Sequence, residues 1–201
     1  MRDGWRSVAF GDVARVDIER ERVSPEKEYP TAGVLNAGQG MFDRGILPGR
    51  VTNYSFLHRL RAGQVVMRKL TAWEGPVTVV PSEFDRFCVS TEFPTFTLNQ
   101  EYILPEFMRL ICQRPSFWLA LKERSTGTVQ RRKRVSPSAL LTVPILLPHS
   151  INRDELLTSS RRSMLYVKRH YRCMPWPQLP GRRSVGHCSV TTVGKLYRSL
   201  G

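Results

Sequence analysis

The chain has 201 residues, 41% of them apolar, and carries 31 Lys and Arg against 17 Asp and Glu, a formal charge of +14. That length suits one sizeable domain with an appendage, and the charge points to a polyanionic partner, either nucleic acid or an anionic membrane surface. No apolar run approaches the roughly 20 residues that a bilayer span needs, and residues 1–10 carry Arg2, Asp3 and Arg6 with no apolar stretch of the signal-peptide kind. Cys88, Cys112, Cys173 and Cys188 lie far apart with no C-x-x-C pair, which argues against zinc and against a disulfide framework. A reducing cytoplasm is the expected setting.

In chain order, residues 5–10 predict a short extended segment. A helix is then expected from Gly11-Asp12, capped by Asp12 and continued by Val13, Val16 and Arg20 at helical spacing. Residues 19–28 are charged and end in a turn. Residues 29–35 predict a strand, and 36–42 a loop punctuated by Gly38 and Gly40, followed by Asp43-Arg44-Gly45. Residues 61–64 predict a turn, and Val65-Val66-Met67 a short buried strand that delivers Arg68 and Lys69 to its end. Trp73-Glu74-Gly75 turns the chain into a strand over 77–80, closed by Pro81. Residues 87–90 and 93–98 are further strands, rich in aromatic and β-branched side chains. Pro105 opens a helix whose apolar face runs from Phe107 to Leu121, and Pro115 splits it in two. Residues 137–141 predict one helical turn, and 143–148 an extended segment bounded by prolines. Many short strands followed by a helix pair make an α+β pattern rather than alternating βαβ units.

Between the helix pair and that last turn lies residues 124–135, with Ser125-Thr126-Gly127-Thr128 ahead of Arg131-Arg132-Lys133-Arg134. A Gly between threonines permits a tight turn whose N–H groups can face an anion, and the cations behind it suit phosphates and guanine edges. Trp73 is expected in the core rather than stacked on a base, and Glu92 as the structural partner of Arg131 or Arg132. Catalysis finds no support: there is no P-loop and no H-E-x-x-H, and His58, His149, His170 and His187 are scattered.

Taken together, Trp5…Phe10-Gly11-Asp12-Val13, Gly38-x-Gly40-x-Phe42, Leu60-x-x-Gly63-Gln64-Val65-Val66, Ala72-Trp73-Glu74-Gly75, Val79-Val80-Pro81-x-x-Phe84, Ser90-x-Glu92-Phe93-Pro94-x-Phe96, Ser125-Thr126-Gly127, Arg131-Arg132 and Val143-Pro144-Ile145-x-Leu147-Pro148 resemble the specificity subunit of type I restriction-modification enzymes. The resemblance covers roughly residues 5–148 and amounts to a single target recognition domain. It implies a twisted, mostly antiparallel sheet or partial barrel with flanking helices, and duplex DNA reading in the major groove. It also implies that cleavage, ATP use and S-adenosylmethionine chemistry belong to the partner methyltransferase and restriction subunits, with no cofactor and no metal held by this chain. A second specificity half is a further possible partner, and a membrane is not. On that footing the expected DNA-binding residues are Asn36, Gln39, Arg44, Arg68, Lys69, Arg124, Thr126, Thr128, Gln130, Arg131, Arg132, Lys133 and Arg134. Two other readings stay open: a recognition lobe truncated from a self-contained restriction or methyltransferase enzyme, and a general basic nucleic-acid-binding protein.

Beyond Pro148 the chain departs from the resemblance. Residues 1–150 hold 21 Lys and Arg against 15 Asp and Glu, whereas 151–201 hold 10 against 2. The boundaries expected are a recognition domain over 1–150, a partial helix and linker over 151–173, and a basic tail over 174–201. Pro175, Pro177 and Pro180 bar a long helix there, and a frame-shifted end and a disordered basic arm both account for the composition.

Overall fold

The two ends of the recognition region meet in the sheet. In the computed structural model, which describes residues 5–129 and 132–148, β1 (Trp5–Ala9) pairs antiparallel with β11 (Pro144–Pro148), Trp5 opposite Pro148 and Ala9 opposite Pro144. The ladder continues through Phe10 N–H, which donates to the Val143 carbonyl at 2.8 Å. Gln130, Arg131 and both expected C-terminal segments, 151–173 and 174–201, lie outside the described residues.

Two larger sheets fill the interval. A four-stranded sheet has the order β2 (Ala14–Val16), β10 (Thr95–Leu98), β7 (Val65–Met67), β8 (Val77–Val79), all antiparallel. A five-stranded sheet has the order β3 (Glu19–Arg22), β6 (Phe56–Arg59), β9 (Cys88–Val89), β4 (Glu28–Val34), β5 (Met41–Pro48), antiparallel except between β4 and β9. The sheets are open and do not close into a barrel, and the architecture is α+β and mostly antiparallel, as expected.

β7 shows how the sequence builds this. All three residues are buried, and their side chains alternate: Val65 and Met67 enter the larger core, Val66 the second one. A strand with apolar cover on both faces reads as an uninterrupted apolar run, as this one does. The larger core receives Phe10 and Phe96, packed edge to face at 5.7 Å, and the inward faces of the helices. Those helices are α1 (Pro105–Cys112) and α2 (Pro115–Glu123), each with proline in its first turn, where a missing N–H costs nothing. Phe107, Met108 and Ile111 of α1 and Phe117 and Leu121 of α2 are buried at i, i+3, i+4 spacing. The short α3 (Pro137–Leu141) is capped by Ser136, whose Oγ accepts from Ala139 N–H at 3.1 Å.

The helix expected from Gly11 to Arg20 does not form. Residues 10–12 make a single 3-10 turn, with Asp12 Oδ2 accepting from Ala9 N–H at 2.9 Å, and β2 and β3 follow. Glu19-Arg20-Glu21-Arg22 alternates with period two, and the strand satisfies that pattern: the acidic residues lie on one face and the arginines on the other. Partners more than thirty residues away, Phe56 to Arg59 and Phe96 to Leu98, supply the ladder that decides between helix and strand. β6 and most of β5 fell between the expected elements as well. No helix among the described residues is long and apolar enough to cross a membrane.

Candidate nucleic-acid interface

The strip that leaves β7, residues 68–75, is where the structure brings most of the expected residues together. On one side of it sits the loop that joins β4 to β5. On the other sits the basic stretch. Thr71 is at the centre, in the left-handed region with φ 54°. Its N–H reaches the Lys133 carbonyl at 3.3 Å and its Oγ1 accepts from Arg68 Nη2 at 2.8 Å.

The basic stretch is closed at its base. Thr126 and Arg134 exchange two backbone hydrogen bonds of 2.9 Å, and Val135 N–H donates to the Lys69 carbonyl at 3.0 Å. Gly127 takes φ +126°, which a side chain rarely adopts, and turns the chain at the start of the loop. The turn is less open to an anion than expected, because the N–H groups of Ser125 and Thr126 are already engaged by the Lys122 and Arg134 carbonyls. Thr128 is exposed beyond them, as is Arg132, while Lys133 is half-buried. Gln130 and Arg131 of the expected site lie outside the described residues.

Glu92 pairs with Arg134, Nε to Oε2 at 3.2 Å, and with Lys69, Nζ to Oε1 at 3.8 Å. The expected partner was Arg131, which lies outside the described residues, or Arg132, which does not pair with Glu92. The bridges from Arg134 to Thr126 and Leu70 explain the correction, since they hold Arg134 at the base of the loop while Arg132 stands toward its tip.

Arg124 is bound into the framework. Its Nε donates to Thr142 Oγ1 at 2.9 Å, Nη2 to the Thr142 carbonyl at 3.1 Å and Nη1 to the Ala120 carbonyl at 3.0 Å. It thereby ties the C-terminal end of α2 to the residue after α3, with the cation beside helix carbonyls.

The second loop, residues 35–40, is held as firmly. Asn36 Nδ2 donates to Glu74 Oε2 at 3.0 Å, and its Oδ1 accepts from Arg68 Nη2 at 3.1 Å. Gln39 is exposed. Arg44 lies apart, at the bulge where β5 slips against β4, and lines a cleft of about 220 Å³ with Tyr54, Leu57 and Cys88. Trp73, expected in the core, is half-buried, and its neighbour Ala72 is the residue that enters the core. Burial raises the pKa of Cys88 and pushes the Cys112 thiol up to about 12, so neither sulfur is a nucleophile at neutral pH. Among the described residues no three His, Cys, Asp or Glu side chains gather to hold a metal ion.

Sequence reasoning missed Glu74 and Thr71 as the groups that organise this surface. Their only signal was their position after a buried strand that ends in two cations.

No protein-family model matches the sequence, and no curated protein is significantly similar to it. Solved structures are similar in fold. A chain of a type I R-M system, from work on its complex assembly and conformational transition, matches with TM-score 0.63 at 20% identity over 86% of this chain and 45% of that one. The HsdS subunit from Thermoanaerobacter tengcongensis matches with TM-score 0.61 at 20% identity, over the same shares. The type I restriction-modification S subunit of M. genitalium gives TM-score 0.46 at 12% identity, over 80% of this chain and 39% of that one. This chain therefore spans about half the length of the first two, and over that span it has the fold of a type I restriction-modification S subunit.

Proposed function

We propose that the protein reads a specific duplex DNA sequence as the specificity component of a restriction-modification complex, without catalysing a reaction itself. The observation that carries this reading is that residues 68–75 bond to two segments, the loop 35–40 and the base of the basic stretch at Lys133, Arg134 and Val135. The basic stretch presents cations and the loop an amide side chain. Cations against phosphates supply affinity and register, while amide and guanidinium groups on base edges supply sequence choice. The fold shared with S subunits supports the reading, as does the net charge.

In this reading residues 1–150 are the recognition domain, and residues 151–173 and 174–201 are appended to it, the last adding cations that raise non-specific affinity. Methyltransferase and restriction subunits, and a second specificity half, are the proposed partners. The proposed location is the cytoplasm. Arg132 and Lys133, with Arg131 and Gln130 outside the described residues, are the proposed phosphate and base contacts of the basic loop.

The test is selection from a pool of randomised duplexes with the full chain, followed by competition against random duplex and against RNA. Enrichment of one sequence, preferred over both competitors, is expected. Equal binding to all three would replace this reading with that of a general basic nucleic-acid-binding protein.

A further inference from the structure

The loop over residues 35–40 is held by hydrogen bonds within itself and to the strip beside it. Leu35 N–H donates to the Gly40 carbonyl at 2.9 Å and Gln39 N–H to the Asn36 carbonyl at 3.2 Å. Ala37 N–H and Gly38 N–H reach outward, to the Glu74 and Gly75 carbonyls, both at 2.8 Å. Ala37 and Gly38 sit side by side in the left-handed region, at φ 56° and 62°. For Ala37 that conformation is strained and persists because its surroundings fix it. Gly38 is buried against the end of α1, where a Cβ would run into the Cys112 carbonyl. That same carbonyl accepts Trp118 Nε1–H at 2.7 Å, so the loop rests on the joint between α1 and α2. The side-chain amide of Asn36 is tied at both ends, to Glu74 and to Arg68.

Arg68 completes the lock. Besides Asn36 and Thr71 it holds the Leu70 carbonyl through Nε at 3.1 Å and Glu74 Oε2 through Nη2 at 3.3 Å. Its guanidinium thus has four partners on the protein and joins the amide loop to the strip that carries the basic loop.

One long polar side chain remains. Gln39 is exposed, and among the described residues its amide has no partner. Gly40 beside it, at φ +103°, has open space where a Cβ would stand, so nothing crowds the approach.

We infer that Gln39 is the sequence-reading residue of this loop, directed at the edge of an adenine, and that Arg68 is a positioning residue that holds the loop rather than a phosphate contact. This rests on the proposed DNA-reading function. A glutamine amide donates and accepts side by side, which matches N7 and the N6 amino group of adenine in the major groove. A fixed loop favours this contact because its backbone needs no ordering on binding, which leaves only the side-chain entropy of Gln39 to oppose it.

The experiment uses the full chain and the duplex that the selection enriches, with every base pair varied in turn. Q39A is expected to lose discrimination at one A·T pair by roughly tenfold or more, since a good bidentate contact discriminates by about 1–3 kcal/mol. Its salt slope should not change. R68A and R68K are both expected to lose discrimination at that same pair, again with the slope intact. A phosphate contact would behave differently: R68A would lower the slope by about 0.9 and R68K would restore it. Q39A lies on an exposed side chain and will fold, so it decides the reading even where an Arg68 variant does not. If the native protein prefers no sequence, the DNA-reading function itself fails. If it does and Q39A keeps the full preference, the role given to Gln39 is overturned. If R68A lowers the slope and keeps the preference, the positioning role is overturned.

Discussion

Two parts of this protein hold clusters of cations and use them differently. Around β3 and β6, Arg15, Lys27, Arg59, Arg61 and Arg86 stand against Asp17, Glu19 and Glu21, and every one of those cations has a carboxylate within 4 Å. The closest pairs are Arg61 with Asp17 at 2.6 Å and Arg59 with Glu21 at 2.8 Å. Around residues 68–75 and 124–135 the acids are Glu74 and Glu92, and they engage Arg68, Lys69 and Arg134. Arg132 and Lys133 have no acidic partner among the described residues. The first region is a ladder in which charge serves the sheet. The second keeps unpaired charge at a loop tip, where a polyanion can reach it. Charge density alone therefore does not locate a binding surface, and the tally of carboxylates narrows the choice without settling it, since Arg20 and Arg22 on the other face of β3 also have no acidic partner among the described residues.

The comparison breaks most visibly if the loop cations are removed. Arg132→Ala with Lys133→Ala takes away two phosphate contacts in the proposed complex. The salt slope should fall by about 1.8 and duplex affinity at moderate salt by roughly tenfold or more. Extending the change to Arg131 and Arg134 should deepen the loss, although Arg134 also carries the pair to Glu92, so its variant needs a melting curve beside it. A fluorescence anisotropy titration at several salt concentrations reads both quantities. An unchanged slope would place these cations on the same footing as the ladder.

The converse variant sharpens the contrast. Arg59→Met keeps the aliphatic packing of the stem and removes the guanidinium that bridges Glu19 and Glu21. Duplex affinity and salt slope are expected to stay as in the native protein. Stability should fall by about 1 kcal/mol, the upper range for partly exposed pairs, although Arg61 and Arg86 still face Glu19 and Lys27 still faces Glu21. Urea denaturation followed by fluorescence measures this. A clear loss of DNA affinity in a folded Arg59→Met protein would mean that the ladder also belongs to the binding surface.

How far the sequence led can be judged from particular residues. α1, α2 and α3 were legible because a proline opens each of them and apolar side chains follow at helical spacing. β7 and β8 were legible as apolar runs between turn residues, and β4 as β-rich sequence ahead of glycines. β2 and β3 were not, because 14–22 carries charges whose period-two pattern gains meaning only from β10 and β6, far along the chain. The same holds at the surface. The basic run is plain in the sequence, yet its internal order depends on Arg134 meeting Thr126, Leu70 and Glu92. Asn36 and Arg68 looked like candidates of equal standing with Gln39. Glu74, thirty-eight positions from Asn36, is what separates them, and no local pattern announces it.

The smallest expected effect concerns protons, and it distinguishes the two regions by pH. His58 on β6 is buried, with Nδ1 2.9 Å from the Phe93 carbonyl. Burial is the main influence and holds its pKa below the ordinary histidine value. The Phe93 carbonyl opposes this, while Arg20, opposite it on β3, and Lys69 from the interface strip push the same way as burial. The unfolded chain takes up this proton near pH 6.5, and the folded chain only further down. Between those points the unfolded state binds more protons, so stability falls as pH drops below about 6.5. The ladder responds lower. Hydrogen bonding from Thr97 holds Asp17 below the usual carboxylate range, and Arg59 does the same for Glu21. Their contribution is therefore complete only above the ordinary carboxylate values, about pH 4–5, and is lost as pH falls through their folded values. Melting curves between pH 7 and 5.5 should show a drop of a few degrees at most, from His58. In His58→Gln, whose amide keeps a donor for Phe93 and cannot protonate, that slope should flatten, while the steeper loss at lower pH persists. An unchanged slope in the variant would mean that some other group titrates between pH 7 and 5.5, and that the buried imidazole does not couple the sheet to the strip carrying Lys69.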